Sequence, residues 1–315
     1  SSPMYYTPDG RPIPPVYHHR IPRRRIPPWR RRGCVLGCLA ALAVPVFCVL
    51  TFLLTYLLFP PSPTDIVILG LDARPGEGYV TRTDSIMLLN ITPGSLDVSL
   101  LSIPRDVFVR VPGYGEQRIN TINVLGEQDA VGGGPDLVKA SLAESFGIGV
   151  DHYVRLNFEG FASLIDAVGG VTIDVPKLIV DYAFPTAGGG TTTIRFEPGR
   201  QHMNGEEALQ YARTRHQDDD YRRTERQQQV LDALVKKLAD PRYVIYWPAA
   251  LSAIQSNMDT DLSILEMLRL GPGLFLGWPG SDRRVLERED LIGRQAGYWV
   301  PDYDQLLPWI EARFD

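Results

Sequence analysis

The chain has 315 residues, of which 44% are hydrophobic, and this length suits one large domain or two small ones. Its formal net charge of −5 conceals two parts of opposite sign. Residues 1–33 hold eight arginines and one aspartate, which leaves 24 of the 32 basic and 36 of the 37 acidic residues for 34–315. Because the folded part is acidic, we expect no nucleic-acid partner.

An uncharged apolar run over 34–59 follows the basic, proline-rich segment over 1–33. About 26 helical residues at about 1.5 Å each are enough to cross a hydrocarbon core of about 30 Å. The competing interpretation is a cleaved signal peptide, but the run is too long for one, and no small-x-small cleavage site follows it. We therefore predict a disordered cytoplasmic tail over 1–33, a transmembrane helix over 34–59 and an extracytoplasmic part over 60–315, in a single-pass protein of the cell membrane.

The three cysteines, Cys34, Cys38 and Cys48, all lie in this apolar run. Residues 60–315 therefore need neither a disulfide nor a cysteine-based metal site, which suits an oxidising compartment. Acylation of a cysteine near the start of the run is one use for these thiols. The plainer interpretation is that they are small apolar residues of a membrane helix.

Three predicted strands open the folded part. The unbroken apolar run after Asp65 is typical of a strand buried on both faces, and it ends at Asp72. A second strand is predicted over 85–92 and a third over 98–103, joined by a Pro-Gly-Ser turn. The third strand ends in Pro-Arg-Asp, with the arginine at position 105.

This arrangement of strands brings charged residues together at one edge of the predicted sheet. A short turn makes the second and third strands antiparallel neighbours, so Asp84 lies beside Arg105. If the first strand pairs parallel to the third, its end at Asp72 reaches the same edge, where ligands of α/β folds usually bind. Mg²⁺ commonly binds one or two carboxylates together with substrate phosphates. Taken singly, Asp72 is equally a turn residue, and Asp84 equally a partner of Arg82.

The rest of the chain alternates helical and irregular patterns. A strand is predicted over 171–175, and the glycine-rich stretch over 178–200 indicates a loop or hairpin. Asn204 is a helix cap whose helix leads into Arg213. Further helices are predicted over 135–146, 158–168, 242–256, 261–270 and 302–314.

The segment over 211–229, YARTRHQDDDYRRTERQQQ, surrounds the three aspartates at 218–220 with five arginines. Its second half predicts a helix on which Arg223, Arg226 and Gln227 share one face. That face continues with apolar residues, so its guanidinium groups point toward the core and need an anion. One interpretation is an internal ion network with the aspartates. The other is a phosphate site, because planar guanidinium groups bind phosphate oxygens in pairs.

The motifs in this part of the chain resemble those of the LytR-CpsA-Psr family over about residues 64–235. The matching segments, in the family's order, are Leu69 to Arg74, Arg82 to Met87, Ser102 to Asp106, Arg118 to Asn120, Gly205 to Leu209, Arg213 to Arg215, and Asp220 to Gln228. Each segment is weak alone, whereas the joint occurrence is specific. The resemblance implies an α/β fold with a mixed central β-sheet covered by helices, with the catalytic domain over 60–240 and a helical extension packed on it over 241–315.

The resemblance also implies an activity and a site. The enzyme would move a polyprenyl-pyrophosphate-linked anionic glycopolymer, of teichoic-acid or capsule type, onto a peptidoglycan hydroxyl, with release of polyprenyl phosphate. The implied partners are that glycopolymer, peptidoglycan and the membrane, and the implied ligands of Mg²⁺ (or Mn²⁺) are Asp72 and Asp84. The implied pyrophosphate-binding residues are Arg74, Arg82, Arg105, Arg118, Asn120, Arg213, Arg215, Arg223, Arg226 and Gln227.

The general base is the open assignment in this scheme. Arg105 is expected to be catalytic, and either Asp106 or Asp220 is a candidate for taking the acceptor proton, although both could simply orient arginines. Two other functions stay open. One is a polyprenyl-pyrophosphate phosphatase with water as acceptor, and the other is a non-catalytic envelope scaffold or regulator.

Overall fold

The computed structural model describes residues 6, 8–10, 43–44, 46–73, 78–186, 189–214, 220–293 and 298–314. The chain divides into two compact units, Ser1–Leu58 and Phe59–Asp315. In the first unit, residues 46–58 form helix α1. The predicted tail over 1–33 and the cysteines at 34 and 38 lie almost entirely outside the described residues, while Cys48 is exposed on α1.

The membrane-spanning segment is a correction to the sequence-based prediction. We expected a transmembrane helix over 34–59, of which the structure describes 43–44 and 46–59. Within the described part of the chain, no helix combines the length and the apolar character that crossing a membrane requires. On that finding, the predicted single-pass localisation is wrong.

A six-stranded mixed sheet organises the second unit, with strand order β11-β6-β1-β2-β3-β12. β2 runs antiparallel to both β1 and β3, whereas β6 pairs parallel to β1 and β12 pairs parallel to β3. The strands of this sheet are β1 (Thr64–Leu71), β2 (Thr83–Thr92), β3 (Asp97–Ile103), β6 (His152–Leu156), β11 (Met258–Thr260) and β12 (Asp282–Val285). The predicted fold class, a mixed sheet with flanking helices, is confirmed.

Four short ribbons surround this sheet. The one beside the site is the β4–β5 hairpin, and the β8–β9 hairpin occupies most of the stretch that the sequence left irregular. Their strands are β4 (Phe108–Val111), β5 (Gly115–Arg118), β7 (Val171–Val175), β8 (Ile179–Pro185), β9 (Thr191–Phe196), β10 (Gly199–Met203), β13 (Leu291–Gly293) and β14 (Trp299–Pro301).

Helices cover both faces of the sheet. α3 and α9 pack on the face that carries Val67 and Leu88, and α6 and α8 pack on the face that carries Ile66 and Met87. This two-sided burial explains the unbroken apolar runs of β1 and β2. The helices are α2 (Ile122–Asp129), α3 (Gly133–Phe146), α4 (Phe158–Ala167), α5 (Gly205–Arg213), α6 (Asp220–Ala239), α7 (Trp247–Asn257), α8 (Ile264–Gly277) and α9 (Tyr303–Glu311).

A second core lies under the hairpins and fixes the helices that carry the arginine segment. α4, α5, α6 and α7 pack there against β7 to β10. Asn204 caps α5 as predicted, and its side chain and that of Glu207 form a reciprocal capping box at 2.9 Å each. α5 and α6 therefore meet the sheet as two rigid, separately anchored helices.

The structure differs from the sequence-based expectation in two pairings. β1 pairs with β2 and not with β3, although it does run parallel to β3. The part beyond residue 240, expected to form a helical extension, also supplies the edge strands β11 and β12. These strands are only three and four residues long, too short for a periodic pattern to show in the sequence.

Candidate functional site

Three strand ends meet at one edge of the central sheet. β2 begins at Thr83, which pairs with Leu71 at the end of β1, and the end of β3 lies on the other side of β2. Asp72 directly follows β1, Asp84 is the second residue of β2, and Arg105 follows the end of β3 by two residues. The predicted convergence of these three residues at one edge of the sheet is confirmed.

Asp84 occupies an irregularity in the ladder between β1 and β2. Gly70 pairs with Ser85, whereas Leu71 pairs with Thr83, so Asp84 is the extra residue of a β-bulge. Bulges re-aim a side chain and are frequent beside active sites. Arg105 Nη1 donates a hydrogen bond to Asp84 Oδ1 at 2.9 Å, and both side chains are about one-fifth exposed. The edge thus carries a charge-assisted pair that a ligand can reach.

Helix α6 adds buried guanidinium groups to this edge. Arg223 is only 3% exposed, and its Nη2 donates to the backbone carbonyl of Asp84 at 3.4 Å. One turn further on, the buried Arg226 donates to the carbonyl of Thr214, the residue that ends α5. The predicted shared face of Arg223 and Arg226 is confirmed, and Gln227 lies half-buried beside them. Buried cations of this kind are satisfied either by ion pairs within the protein or by a bound anion.

Asp106 and Arg118 form the exposed side of the site. Asp106 Oδ2 lies 3.6 Å from Arg105 Nε, and Asp106 Oδ1 lies 3.9 Å from Arg118 Nη1. The Asp106 side chain is 49% exposed, and that of Arg118 is 55% exposed. A continuous chain of opposite charges therefore runs from Asp84 through Arg105 and Asp106 to Arg118.

Two buried oxygen atoms at this edge have no hydrogen-bond partner among the described residues. They are Thr83 Oγ1 and Asn120 Oδ1, on residues that are respectively 0% and 6% exposed. The backbone N–H of Asn120 donates a hydrogen bond to the backbone carbonyl of Arg105 at 3.3 Å, which places Asn120 next to Arg105 in the site. Such orphaned polar atoms are rare in folded proteins and often mark places for a ligand or ion.

The remaining predicted residues lie less centrally. Asp72 and Arg82 are exposed, and the Asp72 amide donates to the Arg82 carbonyl at 3.0 Å, so the two residues are joined through the backbone. Arg213 stacks on aromatic rings, with its Cζ 3.8 Å from the Phe158 centroid and 5.5 Å from that of Phe184. Three of the predicted groups lie outside the part of the chain that the structure describes: Arg74, Arg215 and the side chain of Asp220.

A buried arginine that the sequence analysis did not single out lies next to the site and forms a network of ion pairs and hydrogen bonds. Arg155, on β6, is 2% exposed, and its Nη1 donates to Glu127 Oε1 at 2.6 Å while its Nη2 donates to Asp259 Oδ2 at 2.6 Å. Burial alone would raise the pKa of the Glu127 carboxyl. Hydrogen bonds from Arg155 and from the Gly132 and Gly134 amides outweigh burial and hold that pKa below its usual value.

This network reaches the loop that precedes Arg82. Arg155 Nη1 also donates to Asn123 Oδ1 at 3.0 Å, and the Asn123 amide group donates to the carbonyls of Tyr79 and Thr81 at 2.8 Å each. The Tyr79 ring lies 4.1 Å from the Arg155 guanidinium. Residues 78–82, the described end of the loop between β1 and β2, are therefore held at the site by this hydrogen-bond network. The position of Arg155 between Val154 and Leu156 was the sequence feature that could have indicated it.

The oxygen atoms at this edge fit a hard cation. Within the described residues, no group of three or more His, Cys, Asp or Glu side chains could hold a metal ion. The two carboxylates of Asp72 and Asp84 are of the type that Mg²⁺ uses when phosphate oxygens and waters complete its shell. The partnerless oxygens of Thr83 and Asn120 are of the same hard type.

Comparison with known proteins extends this description. The model of the LytR_cpsA_psr family matches residues 60–277. Over 208 residues, the chain is 37% identical to a polyisoprenyl-teichoic acid–peptidoglycan teichoic acid transferase TagU of Oceanobacillus iheyensis, covering 65% of this chain and 61% of that protein. Over 211 residues, it is 31% identical to the corresponding transferase TagV of Bacillus subtilis, covering 66% of this chain and 52% of that protein.

The fold of this chain is similar to that of the second of these relatives, TagV. The crystal structure of B. subtilis TagV superposes with a TM-score of 0.65 at 26% identity, covering 80% of this chain and 96% of that one. The matched region thus spans between about half and two-thirds of the length of the two transferases. Residues 278–315, which include β12 to β14 and α9, lie beyond the family match.

Proposed function

We propose, since the chain belongs to the LytR-CpsA-Psr family, that it transfers a polyprenyl-pyrophosphate-linked anionic glycopolymer to a hydroxyl of peptidoglycan. The observation that carries this proposal is the joining of Asp84, Arg105 and Arg223 at one sheet edge. The names of the two transferases, which act on teichoic acid and peptidoglycan, support the choice of donor and acceptor.

The chemistry is a displacement at phosphorus. The acceptor hydroxyl oxygen forms a bond to the phosphorus that carries the glycopolymer, and the bond from that phosphorus to the bridging oxygen breaks, so polyprenyl phosphate leaves. Arg105 and Arg223 neutralise the pyrophosphate oxygens, which is the main demand of phosphoryl transfer. The solvent-facing carboxylate of Asp106 takes the acceptor proton, with Asp220 as the alternative base.

The other predicted residues have supporting roles in this proposal. Asp72 and Asp84 would hold Mg²⁺ or Mn²⁺, which supplies further positive charge to the pyrophosphate when bound. Outer contacts to the phosphates would come from Arg74, Arg82, Arg118, Asn120, Arg213, Arg215, Arg226 and Gln227.

The decisive experiment uses the full chain with a synthetic polyprenyl-pyrophosphate-linked sugar phosphate, Mg²⁺ and peptidoglycan oligomers. Release of polyprenyl phosphate and the mass of the oligomer are followed for the wild type and Arg105→Ala. We expect the oligomer to gain the phospho-sugar in the wild type and not in the variant. Arg195→Ala is the matched control, since Arg195 is an exposed arginine paired with Glu197 at 2.6 Å on the β8–β9 hairpin.

Two other outcomes would refute the transferase, and a third would refute the role of Arg105. Polyprenyl phosphate released without modification of the oligomer identifies a phosphatase. Donor that stays bound and unreacted identifies a carrier or scaffold. Transfer that survives Arg105→Ala at the wild-type rate removes Arg105 from the mechanism.

A further inference from the structure

The outer face of the β4–β5 hairpin adjoins the site. Val109 and Val111 of β4 point into the core, so Phe108, which precedes Val109, points to the opposite face and is half-buried. Phe108 pairs in register with Arg118, and the Arg118 guanidinium lies 5.5 Å from the Phe108 ring centroid. Asp106 lies two residues before Phe108 and contacts Arg118 at 3.9 Å. An aromatic ring, a cation and an anion are thus neighbours on this face.

Tyr298 completes this face from a distant part of the chain. Trp299 forms a parallel β-bridge with Val107, which brings the C-terminal β13–β14 ribbon beside the hairpin. The Tyr298 ring stacks against Phe108 with centroids 4.5 Å apart and planes tilted by 36°. Both residues are half-buried, so part of each remains open to solvent. Residue 298 lies in the C-terminal segment of the chain, beyond the family match over residues 60–277.

We propose that Phe108, Tyr298, Arg118 and Asp106 form a subsite for one pyranose ring of the acceptor glycan. A pyranose has an apolar C–H face, which packs on an aromatic ring, and a rim of hydroxyls, which hydrogen-bond to charged side chains. The four residues supply both kinds of surface in one place. This inference rests on the proposed transferase function.

The position of Asp106 favours the acceptor over the donor. Arg105 and Arg223, which neutralise the pyrophosphate in the proposed mechanism, lie on the inner side of the site, where Arg223 of α6 is buried. Asp106 lies between them and the aromatic pair, since it contacts Arg105 at 3.6 Å and Arg118 at 3.9 Å. A sugar stacked on Phe108 and Tyr298 therefore presents its hydroxyl to the carboxylate that takes the proton.

The neighbouring Trp299 does not belong to this subsite. It precedes the buried Val300 in β14, and its ring lies over Gly293, whose added Cβ would be 3.0 Å from Trp299 Cζ3. The Arg288 guanidinium covers that ring at 4.6 Å. Trp299 and Tyr298 are consecutive, so their side chains leave the extended backbone on opposite sides.

The test compares Tyr298→Leu and Tyr298→Phe in the full chain. Initial rates are measured against the concentration of a peptidoglycan tetrasaccharide at saturating donor, and then against donor at saturating tetrasaccharide. Tyr298→Leu should raise the acceptor KM at least about fivefold, the effect of losing an energetically important contact residue, with kcat and the donor KM unchanged. Tyr298→Phe should behave as the wild type because it keeps the ring. Tyr243→Leu is the control, since Tyr243 also forms a tilted aromatic pair, with Tyr246 at 6.1 Å, outside the site.

Direct binding of the same tetrasaccharide, measured by calorimetry, separates this inference from the transferase proposal. Binding that Tyr298→Leu weakens and Tyr298→Phe retains supports the subsite even when no product forms. The inference is overturned if the wild type does not bind the tetrasaccharide, if Tyr298→Leu binds it as tightly as the wild type, or if the variant changes the donor KM alone.

Discussion

Replacing Arg155 by methionine tests the buried network behind the site. Methionine has a similar length and no charge, so the change leaves Glu127 and Asp259 without the guanidinium that lies 2.6 Å from each. Removing one partner of a buried ion pair costs about 3–5 kcal/mol. Glu127 keeps the Gly132 and Gly134 amides at 3.0 and 3.2 Å, and Asp259 keeps the Tyr153 hydroxyl at 3.3 Å. We therefore expect Arg155→Met to lower the free energy of unfolding by about 3 kcal/mol, the lower end of that range.

The assay is urea unfolding of the full chain at pH 7, followed by circular dichroism. A loss of about 3 kcal/mol appears as a lower midpoint at unchanged slope. Arg195→Met is the matched control, because Arg195 pairs with Glu197 at the same 2.6 Å but with side chains that are 56% and 61% exposed. Exposed pairs contribute about 1 kcal/mol or less. Equal midpoints for Arg155→Met and the wild type would refute the claim that the network stabilises the fold.

The pH dependence supplies a second check on the same variant. The Glu127 pKa is lowered in the folded protein, so its stabilising contribution is complete above the unfolded pKa of about 4.5 and is lost as the pH falls through the folded pKa. In Arg155→Met, the hydrogen bond and the charge of Arg155 no longer oppose the effect of burial on the Glu127 pKa, so protonation of Glu127 in acid relieves the buried charge. The stability difference between the two proteins should thus be largest at neutral pH and shrink in acid. A difference that is independent of pH would exclude Glu127 as the linked group.

Three further changes have defined outcomes. Asp84→Asn should remove the gain in affinity that Mg²⁺ gives for a short polyprenyl pyrophosphate in calorimetry, with Asp97→Asn, at the exposed start of β3, unaffected; an unchanged Mg²⁺ effect would exclude Asp84 as a ligand. Gly205→Ala should destabilise the fold by about 1–3 kcal/mol in urea unfolding, because its Cβ would lie 2.2 Å from the Ala162 carbonyl oxygen. Lys237→Met should lower stability by about 1–3 kcal/mol, because Lys237 Nζ donates to the Gly169 and Gly170 carbonyls at 2.9 and 2.6 Å; thermal unfolding indistinguishable from the wild type would contradict either claim.

Local sequence patterns were sufficient to predict several strands, helices and helix caps. The strand over 171–175 has the predicted bounds, and the helix predicted over 158–168 is one residue shorter. Asn204 caps α5 because its side chain needs only its own sequence neighbours. The meeting of Asp84 with Arg105 also followed from the sequence, since a short turn between β2 and β3 fixes which ends are adjacent.

Long-range contacts explain what the sequence did not show. The partners of Arg155 lie 32, 28 and 104 residues away, so no spacing pattern records the network. The bulge at Asp84 depends on how β1 aligns with β2 and has no local signature. The Tyr298 contribution likewise depends on a bridge between two distant segments, whose sequences carry no matching motif.

The parallel pairing of β12 with β3 has a consequence for how the protein is made. β3 ends at Ile103, but β12 spans Asp282–Val285, so the ribosome has released most of the chain before this edge of the sheet is closed. Until then the β3 edge offers unpaired backbone groups on which another chain can add a strand, and parallel pairings at such separation form slowly. A shortened protein that stopped at the family boundary, residue 277, would keep that edge open permanently. The C-terminal segment therefore covers, once synthesis is complete, a sheet edge to which another chain could otherwise add a strand.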